Sequence, residues 1–284
     1  RDRRETDTMD TFVDSSWYFL RYCDPKNQKE IFDKNKVAYW MPVDFYVGGI
    51  EHATGHLIYS RFITKVLRDL GLIKFDEPFK KLLCQGMVTL GGVAMSKSRG
   101  NVVDPLAIAD KYGADTARLF ILFAASPEKQ LEWSEKGIEG MFRFVKRIFS
   151  LKDKKFKETS RVLRHLTNKT VREVTKHIEN FKFNLAIIEL MKFEAYLEKE
   201  ISKEAFETFL KLLAPFAPHI AEELWHRLGH KTLVVTEKWP EPKELKRYLD
   251  VEVMVEYVEK LIQDIKELTK LVKGDKAVIY VVPR

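Results

Sequence analysis

Cysteine is almost missing from this 284-residue sequence: only Cys23 and Cys84 occur, far apart, with no CxxC and no Cys/His cluster. That argues against a disulfide framework or a cysteine-spaced zinc site, and it makes a reducing cytoplasm the expected compartment. No run approaches the roughly 18 to 20 apolar residues of a membrane helix, so no membrane partner is expected. The charged opening RDRRETDTMD is unlike a secretion signal. No initiator Met is present, and the chain reads as a piece of something longer. There is no internal repeat, no low-complexity segment and no GxxxxGKS/T phosphate loop, which leaves a kinase-like reading weak. What is there is 45% hydrophobic, enough for a real core in one large domain or two ordinary ones.

Charge is distributed unevenly. Residues 141–176 hold twelve Lys/Arg against three Asp/Glu, or +9, so with a total of +7 the remaining residues sum to −2. Such a stretch suits a nucleic-acid backbone, because each neutralised phosphate releases counterions. It equally suits a solvated helix face in a lysine-rich protein.

Three further segments carry candidate chemistry. GGVAMSKSRGNVVDP, residues 91–105, gathers hydroxyls and cations on a glycine-hinged loop, a composition that fits a phosphate ligand and also an ordinary surface turn. EHATGH sets His52 and His56 one helical turn apart beside Glu51, just after Gly48 and Gly49. Imidazoles at that spacing bind zinc, donate to a substrate or simply pack, and no third ligand stands nearby. DTFVDSSWYFLRY mixes Phe12, Trp17, Tyr18 and Tyr22 with Ser15 and Ser16, material for a core or for an apolar pocket with a few hydroxyls.

The pattern along the chain is α/β first and all-α afterwards. MPVDFYVGGI reads as a short buried strand, followed by a helix from about Glu51 to Leu70 that Gly71 ends. KKLLCQGMVTL reads as a further strand region, and Asp104-Pro105 opens a helix that Gly113 interrupts. Asp115 is a candidate cap for the next helix, with Ala117, Phe120, Ile121 and Ala124 on its inner face. From about residue 137 only helices are expected. One has Leu185, Ile188, Met191 and Ala195 inward, and another Phe206, Phe209, Leu210 and Leu213. A last amphipathic run carries Val258, Leu261, Ile262, Ile265, Leu268 and Leu271, before a terminal strand AVIYVVP. The expected divisions are 1–136, 137–238 and 239–284. Ligands of open α/β sheets gather where strands end and helices begin, which makes both glycine turns edges of one expected site.

The Gly91–Gly100 loop resembles the KMSKS signature of class I aminoacyl-tRNA synthetases. ETDTMDTFVDSSWYFLRY, YWMPVDFYVGGIEHATGHLIYSRF, LLCQGMVTLGGVAMSKSRGNVVDP, YGADTARLFILFAASPEKQLEWSEKGIEG and LLAPFAPHIAEELW are similar, in order, to blocks of the leucyl-tRNA synthetase family. The resemblance implies the second half of a Rossmann-type catalytic domain with its signature loop, an anticodon-binding-type helix bundle, and a small C-terminal α/β extension. The HIGH signature is not here, since EHATGH has the wrong spacing, and neither are the first Rossmann half, the editing domain and the zinc modules. The chain therefore resembles the C-terminal part of such an enzyme, either the beta subunit of a split heterodimer or a cut fragment. The partners implied are leucine, tRNA(Leu) and an N-terminal half carrying HIGH and the editing domain, with ATP and Mg2+ as cofactors.

The family's roles fall on matching positions. The resemblance makes Lys97 the decisive cation for the triphosphate, with Ser96 and Ser98 orienting the loop and Met95 beside the adenine. Phe12, Ser15, Tyr18 and His52 would shape the leucine and adenylate pocket, with Glu51, His56, Gln85, Gly86 and Met87 on the ATP side. Arg143, Lys146, Arg147, Lys154, Lys155, Arg161 and Arg164 become tRNA-contact candidates. One departure stands out: the first lysine of KMSKS is Ala94. The competing reading is a non-catalytic tRNA-binding protein derived from a synthetase.

Overall fold

In the computed structural model, residues 6–243 and 249–272 are described, together with Lys276, Val278 and Tyr280. The chain divides into two compact units, Arg1–Val103 with Ala124–Ser134, and Asp104–Phe123 with Glu135–Arg284. No helix among the described residues is long and apolar enough to cross a membrane.

The first unit begins with α1 (Thr11–Ser15), α2 (Tyr18–Tyr22) and α3 (Lys34–Trp40), then β1 (Tyr46–Gly49), α4 (His56–Asp69), β2 (Leu82–Gln85), β3 (Val88–Leu90), β4 (Val93–Ala94) and, after the excursion into the second unit, β5 (Leu131–Glu132). Asp10 and Asp33 cap α1 and α3 by accepting from backbone amides of the first turn. Phe19, Leu20, Phe32, Val37, Met41 and Ile73 form the core beneath these helices. Arg21 donates to the carbonyls of Pro25, Asn27, Glu30 and Ile31, so one guanidinium fixes the loop that follows α2. β1 pairs in parallel with β2, Tyr46 opposite Leu82 through Gly49 opposite Gln85. β3 pairs in antiparallel fashion with β4 and in parallel with β5.

Several expectations are corrected here. β1 is not buried, since Val47 on it is 48% exposed. The helix expected from Glu51 is two pieces, a 3-10 turn at Ile50–Thr54 and α4 from His56, separated by Gly55 at φ −132° and ψ −95°. The single strand region expected over residues 80–90 breaks at Gly86, whose amide donates to Pro127 O at 2.9 Å. A Cβ at Gly86 would lie 2.2 Å from Lys129 O, so the close passage of two backbones requires glycine.

The second unit is helical: α5 (Pro105–Tyr112), α6 (Ala114–Ala124), α7 (Glu135–Ser150), α8 (Arg161–Glu179), α9 (Phe183–Leu197), α10 (Lys203–Leu213), α11 (Pro218–Arg227) and α12 (Leu249–Leu271). Ile138, Met141, Phe144 and Ile148 recur at helical spacing and are buried. Phe206, Phe209, Leu210 and Leu213 are buried as expected. On α9 the buried set is instead Ala186, Ile187, Leu190, Phe193, Glu194 and Leu197, while Leu185 is exposed. The α9 sequence is apolar on most of its circumference, so periodicity alone does not select the inner face. On α6 the buried face is Asp115, Thr116, Leu119 and Phe120, with Ile121 exposed. Asp115 caps α11 rather than its own helix, accepting from the amides of Ile220 at 2.7 Å and His219 at 3.3 Å. Arg118 donates to the carbonyls of Pro215 and Phe216 beside it. Val258, Ile262 and Leu268 are exposed on α12, where Val251 and Val255 are buried instead. The expected terminal strand falls on residues 277–283, most of which lie outside the described residues.

Glu194 is the unusual member of this core, 1% exposed, with Arg147 Nε 3.2 Å from its carboxylate. Burial raises its pKa to about 7 against the partial compensation of Arg147, and Glu198 adds to the rise. Between its ordinary value of 4.5 and about 7 the folded chain keeps a proton that the unfolded chain has shed, so stability falls as pH rises through that window. Glu194→Gln should therefore gain on the parent by roughly 3 kcal/mol between about pH 5 and about pH 8 in urea unfolding. A difference that does not vary with pH would contradict this cause.

Candidate active site

A cavity of about 290 Å³ opens in the first unit where β1 and β2 end. Phe12, Ser15 and Tyr18 line it from α1 and α2, and His52 and His56 from the segment after the double glycine. Five expected residues thus share one cavity. Val47, Leu57, Leu82 and Leu83 add apolar wall, and Cys84 lies at the strand end. The hydroxyl of Ser15 is buried with no hydrogen-bond partner among the described residues. A polar atom left in that condition inside a cavity is one a ligand's donor can satisfy.

Tyr46, absent from the expected set, connects the wall. Its hydroxyl lies 2.9 Å from that of Tyr18 and 2.7 Å from His56 Nε2, and its ring stacks on Phe79 at 3.8 Å. Nothing in the sequence singles it out, because its role comes from tertiary neighbours on α2 and α4. Burial and the Tyr18 hydroxyl push its phenol well above the ordinary value, so it stays a neutral donor and acceptor. Burial, with charge repulsion from His52, holds the His56 imidazole below its ordinary 6.5. The cavity wall is consequently a neutral hydrogen-bonded chain.

The two histidines do not share one helix face: His52 sits in the 3-10 turn and His56 begins α4, their rings meeting edge to face at 5.8 Å. Glu51 lies beside His52, 3.9 Å from its Nε2, with its side chain half exposed. Gln85 ends β2 opposite Gly49, and Gly86 and Met87 form the break before β3. Among the described residues no group of three or more His, Cys, Asp or Glu could hold a metal ion.

On the Gly91–Asn101 loop, Lys97–Arg99 form a 3-10 turn closed by Gly100 in the left-handed region at φ 67°. Met95 precedes it, bonded weakly back to Val88 O at 3.4 Å, and the Ser96 and Ser98 hydroxyls lie 2.8 Å apart. Lys97 and Arg99 are exposed.

The cationic stretch lies in the second unit. Arg143 and Lys146 are exposed on α7, Lys154 and Lys155 in the connection to α8, and Arg161 and Arg164 in the first turns of α8. Lys146 stands over the Phe142 ring at 4.4 Å, an aromatic interleaved with charge. Arg147 is committed inward to Glu194, and the Lys154 amine to Glu198 O at 2.5 Å.

Residues 2–134 match the family described as tRNA synthetases class I (I, L, M and V), and residues 160–280 match the anticodon-binding domain of tRNA ligase. A leucine–tRNA ligase of Geobacter sp. (strain M21) is 50% identical over 263 residues, and one of Fervidobacterium nodosum 49% over 270 residues. The chain belongs to the leucyl-tRNA synthetase family. These matches cover 84% and 86% of the chain but only 32% and 33% of the relatives, so the chain spans about a third of a leucine–tRNA ligase, a C-terminal part. A solved leucyl-tRNA synthetase from Agrobacterium radiobacter K84, in a ternary complex with tRNA and LeuAMS, superposes with a TM-score of 0.77 at 40% identity. That match covers 84% of this chain and 34% of that one. Methionyl-tRNA synthetase from Mycobacterium tuberculosis, with methionyl-adenylate, matches at a TM-score of 0.56 and 18% identity over 75% of this chain and 48% of that one, a likeness of fold alone. The architecture is accordingly a class I catalytic-domain fragment joined to an anticodon-binding helical domain.

Because His56 is held neutral, an NMR titration of its ring protons should give a midpoint below 6.5. Its contribution to stability is present above that value and lost as pH falls through the lowered folded-state pKa. A midpoint at or above 6.5 would show that the Tyr18–Tyr46–His56 chain does not shield the imidazole.

Proposed function

We propose that the chain is the C-terminal catalytic and tRNA-binding portion of a leucine–tRNA ligase, the counterpart of a beta subunit, acting with a partner half that carries HIGH and the editing domain. The observation that carries this reading is the cavity at the β1–β2 strand ends, where Phe12, Ser15, Tyr18, His52 and His56 converge in a chain half-identical to such ligases. In the proposed first step the leucine carboxylate attacks the α-phosphate of ATP, giving leucyl-adenylate and releasing pyrophosphate. A tRNA terminal hydroxyl then takes the leucyl group.

The residues suit those demands. An isobutyl side chain gains from the apolar walls, and the orphaned Ser15 hydroxyl can accept from the amino acid's ammonium. Charge accumulates on the leaving pyrophosphate, where Lys97 supplies a cation and Ser96 and Ser98 supply neutral donors. Glu51, Gln85, Gly86, Met87 and Met95 would contact the nucleotide. Mg2+ would come as counter-ion of the triphosphate, which typically shares it with only one or two carboxylates, and no metal cluster of this chain's described residues is required. The exposed cations Arg143, Lys146, Lys155, Arg161 and Arg164 would meet the tRNA backbone, and the domain divisions proposed are 1–136, 137–238 and 239–284. A cytoplasmic location fits such a ligase.

Pyrophosphate exchange tests the assignment. The chain combined with a HIGH-bearing half should be active, and Lys97→Ala should lower that activity by roughly 100-fold or more. Ala94→Lys should change it little. Near-normal exchange by Lys97→Ala would remove the role of Lys97, and tRNA binding without exchange in any combination would favour the non-catalytic tRNA-binding protein. For the RNA face, Arg143→Ala and Arg164→Ala should each weaken tRNA binding and reduce the salt slope by about one. An unchanged slope would place the RNA elsewhere.

A further inference from the structure

The segment that presents Lys97 is clamped by two side chains. Gly91 and Gly92 both have positive φ, 63° and 75°, a hairpin turn that only glycines adopt without strain. Glu132, on β5, receives the turn's amides: Gly92 N donates to its two carboxylate oxygens at 3.2 and 3.3 Å, and the Gly91 amide also contributes. The Thr89 hydroxyl donates to the same carboxylate, and Gln130 Nε2 donates to that hydroxyl oxygen at 3.2 Å. Glu132 is itself fixed by the parallel β3–β5 ladder, with Trp133 N bonded to Thr89 O at 2.8 Å and Leu131 N to Met87 O at 2.9 Å. These donors, Thr89 foremost, hold the Glu132 carboxyl below the usual carboxylate range, so it remains an anion.

The second clamp closes the base of the loop. Asn101 Oδ1 accepts from Ser96 N at 2.9 Å, while Asn101 Nδ2 donates to Ala94 O at 3.2 Å. One side-chain amide thus bridges the end of β4 and the residue preceding the 3-10 turn. The planar side-chain amide offers both an acceptor and a donor, and an ionised aspartate would keep the acceptor alone.

We infer that Glu132 and Asn101 are positioning residues for adenylate formation: they fix the two ends of the Gly91–Asn101 loop and so define where the Lys97 amine can reach. The inference rests on the role proposed for Lys97. The remaining freedom of that cation is its own side chain and one short 3-10 turn. A charge pre-placed in this way costs less reorganisation when the leaving pyrophosphate forms, which is a gain in the transition state rather than in ground-state binding. The Glu132 oxygens receive the hairpin's amide and the Thr89 hydroxyl, and among the described residues they form no ion pair with Lys97.

The test uses Glu132→Ala, Glu132→Gln, Asn101→Ala and Asn101→Asp in the chain combined with a HIGH-bearing half, with kcat and KM read separately in pyrophosphate exchange. Both alanine variants should lower kcat by roughly 10-fold or more with KM for leucine unchanged. Glu132→Gln, which keeps one acceptor oxygen, and Asn101→Asp, which keeps the bond from Ser96 N, should each fall between parent and alanine. Amide hydrogen exchange on the chain alone gives an independent reading. Gly92 should exchange faster in Glu132→Ala and Ser96 faster in Asn101→Ala, with α7–α11 amides unchanged as the control for folding. Parent-like kcat in a variant whose loop amide has lost protection would overturn the inference, as would unchanged protection of Gly92 and Ser96. An inactive parent combination would remove the role of Lys97 and this inference with it, whereas an active parent with unaffected variants removes this inference alone.

Discussion

The parallel register that sets Gly48 opposite Cys84 and Gly49 opposite Gln85 is the constraint on which the candidate site depends. Both strands stop at the same level, and β1 stops in glycines, so the chain can turn at once into the 3-10 segment bearing His52 and then into α4. Had the pairing slipped by one residue, every β1 side chain would have changed face and Tyr46 would point away from Tyr18 and His56. The cavity is therefore a property of strand length and register before it is a property of its lining.

Two electrostatic regimes serve the first unit. The cavity wall is kept neutral by burial, which raises Tyr46 and lowers His56 away from ionisation, while the glycine-turn loop carries exposed cations. A neutral apolar side chain and a polyanionic leaving group make opposite demands on solvent. In the function proposed, separating them onto a strand-end cavity and a clamped glycine turn answers both without a buried unpaired charge.

Parts of the order were legible, β1, α4 and the strand region of β2 and β3 among them, because glycine turns, the Asp104 N-cap and helical spacing are local signals, whereas α1, α2, α3, β4 and β5 are too short to show a period. Phe206, Phe209, Leu210 and Leu213 were readable since the opposite side of α10 is polar. α9 was not, since Ala186, Ile187 and Leu190 compete with Leu185, Ile188 and Met191 on a helix apolar nearly all round. The members of the cavity came from resemblance, and composition alone left Phe12 and Tyr18 as core or pocket. Tyr46, Glu132 and the caps made by Asp115 were hidden for a common reason: each acts on partners remote in sequence, and no periodicity records a cross-chain hydrogen bond.

Asp115 and Arg118 also say something about how the helical unit comes into being. The corner between α10 and α11 is flanked by Pro215 and Pro218, and its free groups, the carbonyls of Pro215 and Phe216 and the amides of His219 and Ile220, find their partners on α6. Those partners precede the corner by about a hundred residues in the chain, a separation of the kind that slows folding through loop-closure entropy. During synthesis α6 must wait, its acceptor and donors unmatched, until nearly the whole bundle has emerged. The α10–α11 corner is thus closed late, with α12 still to follow.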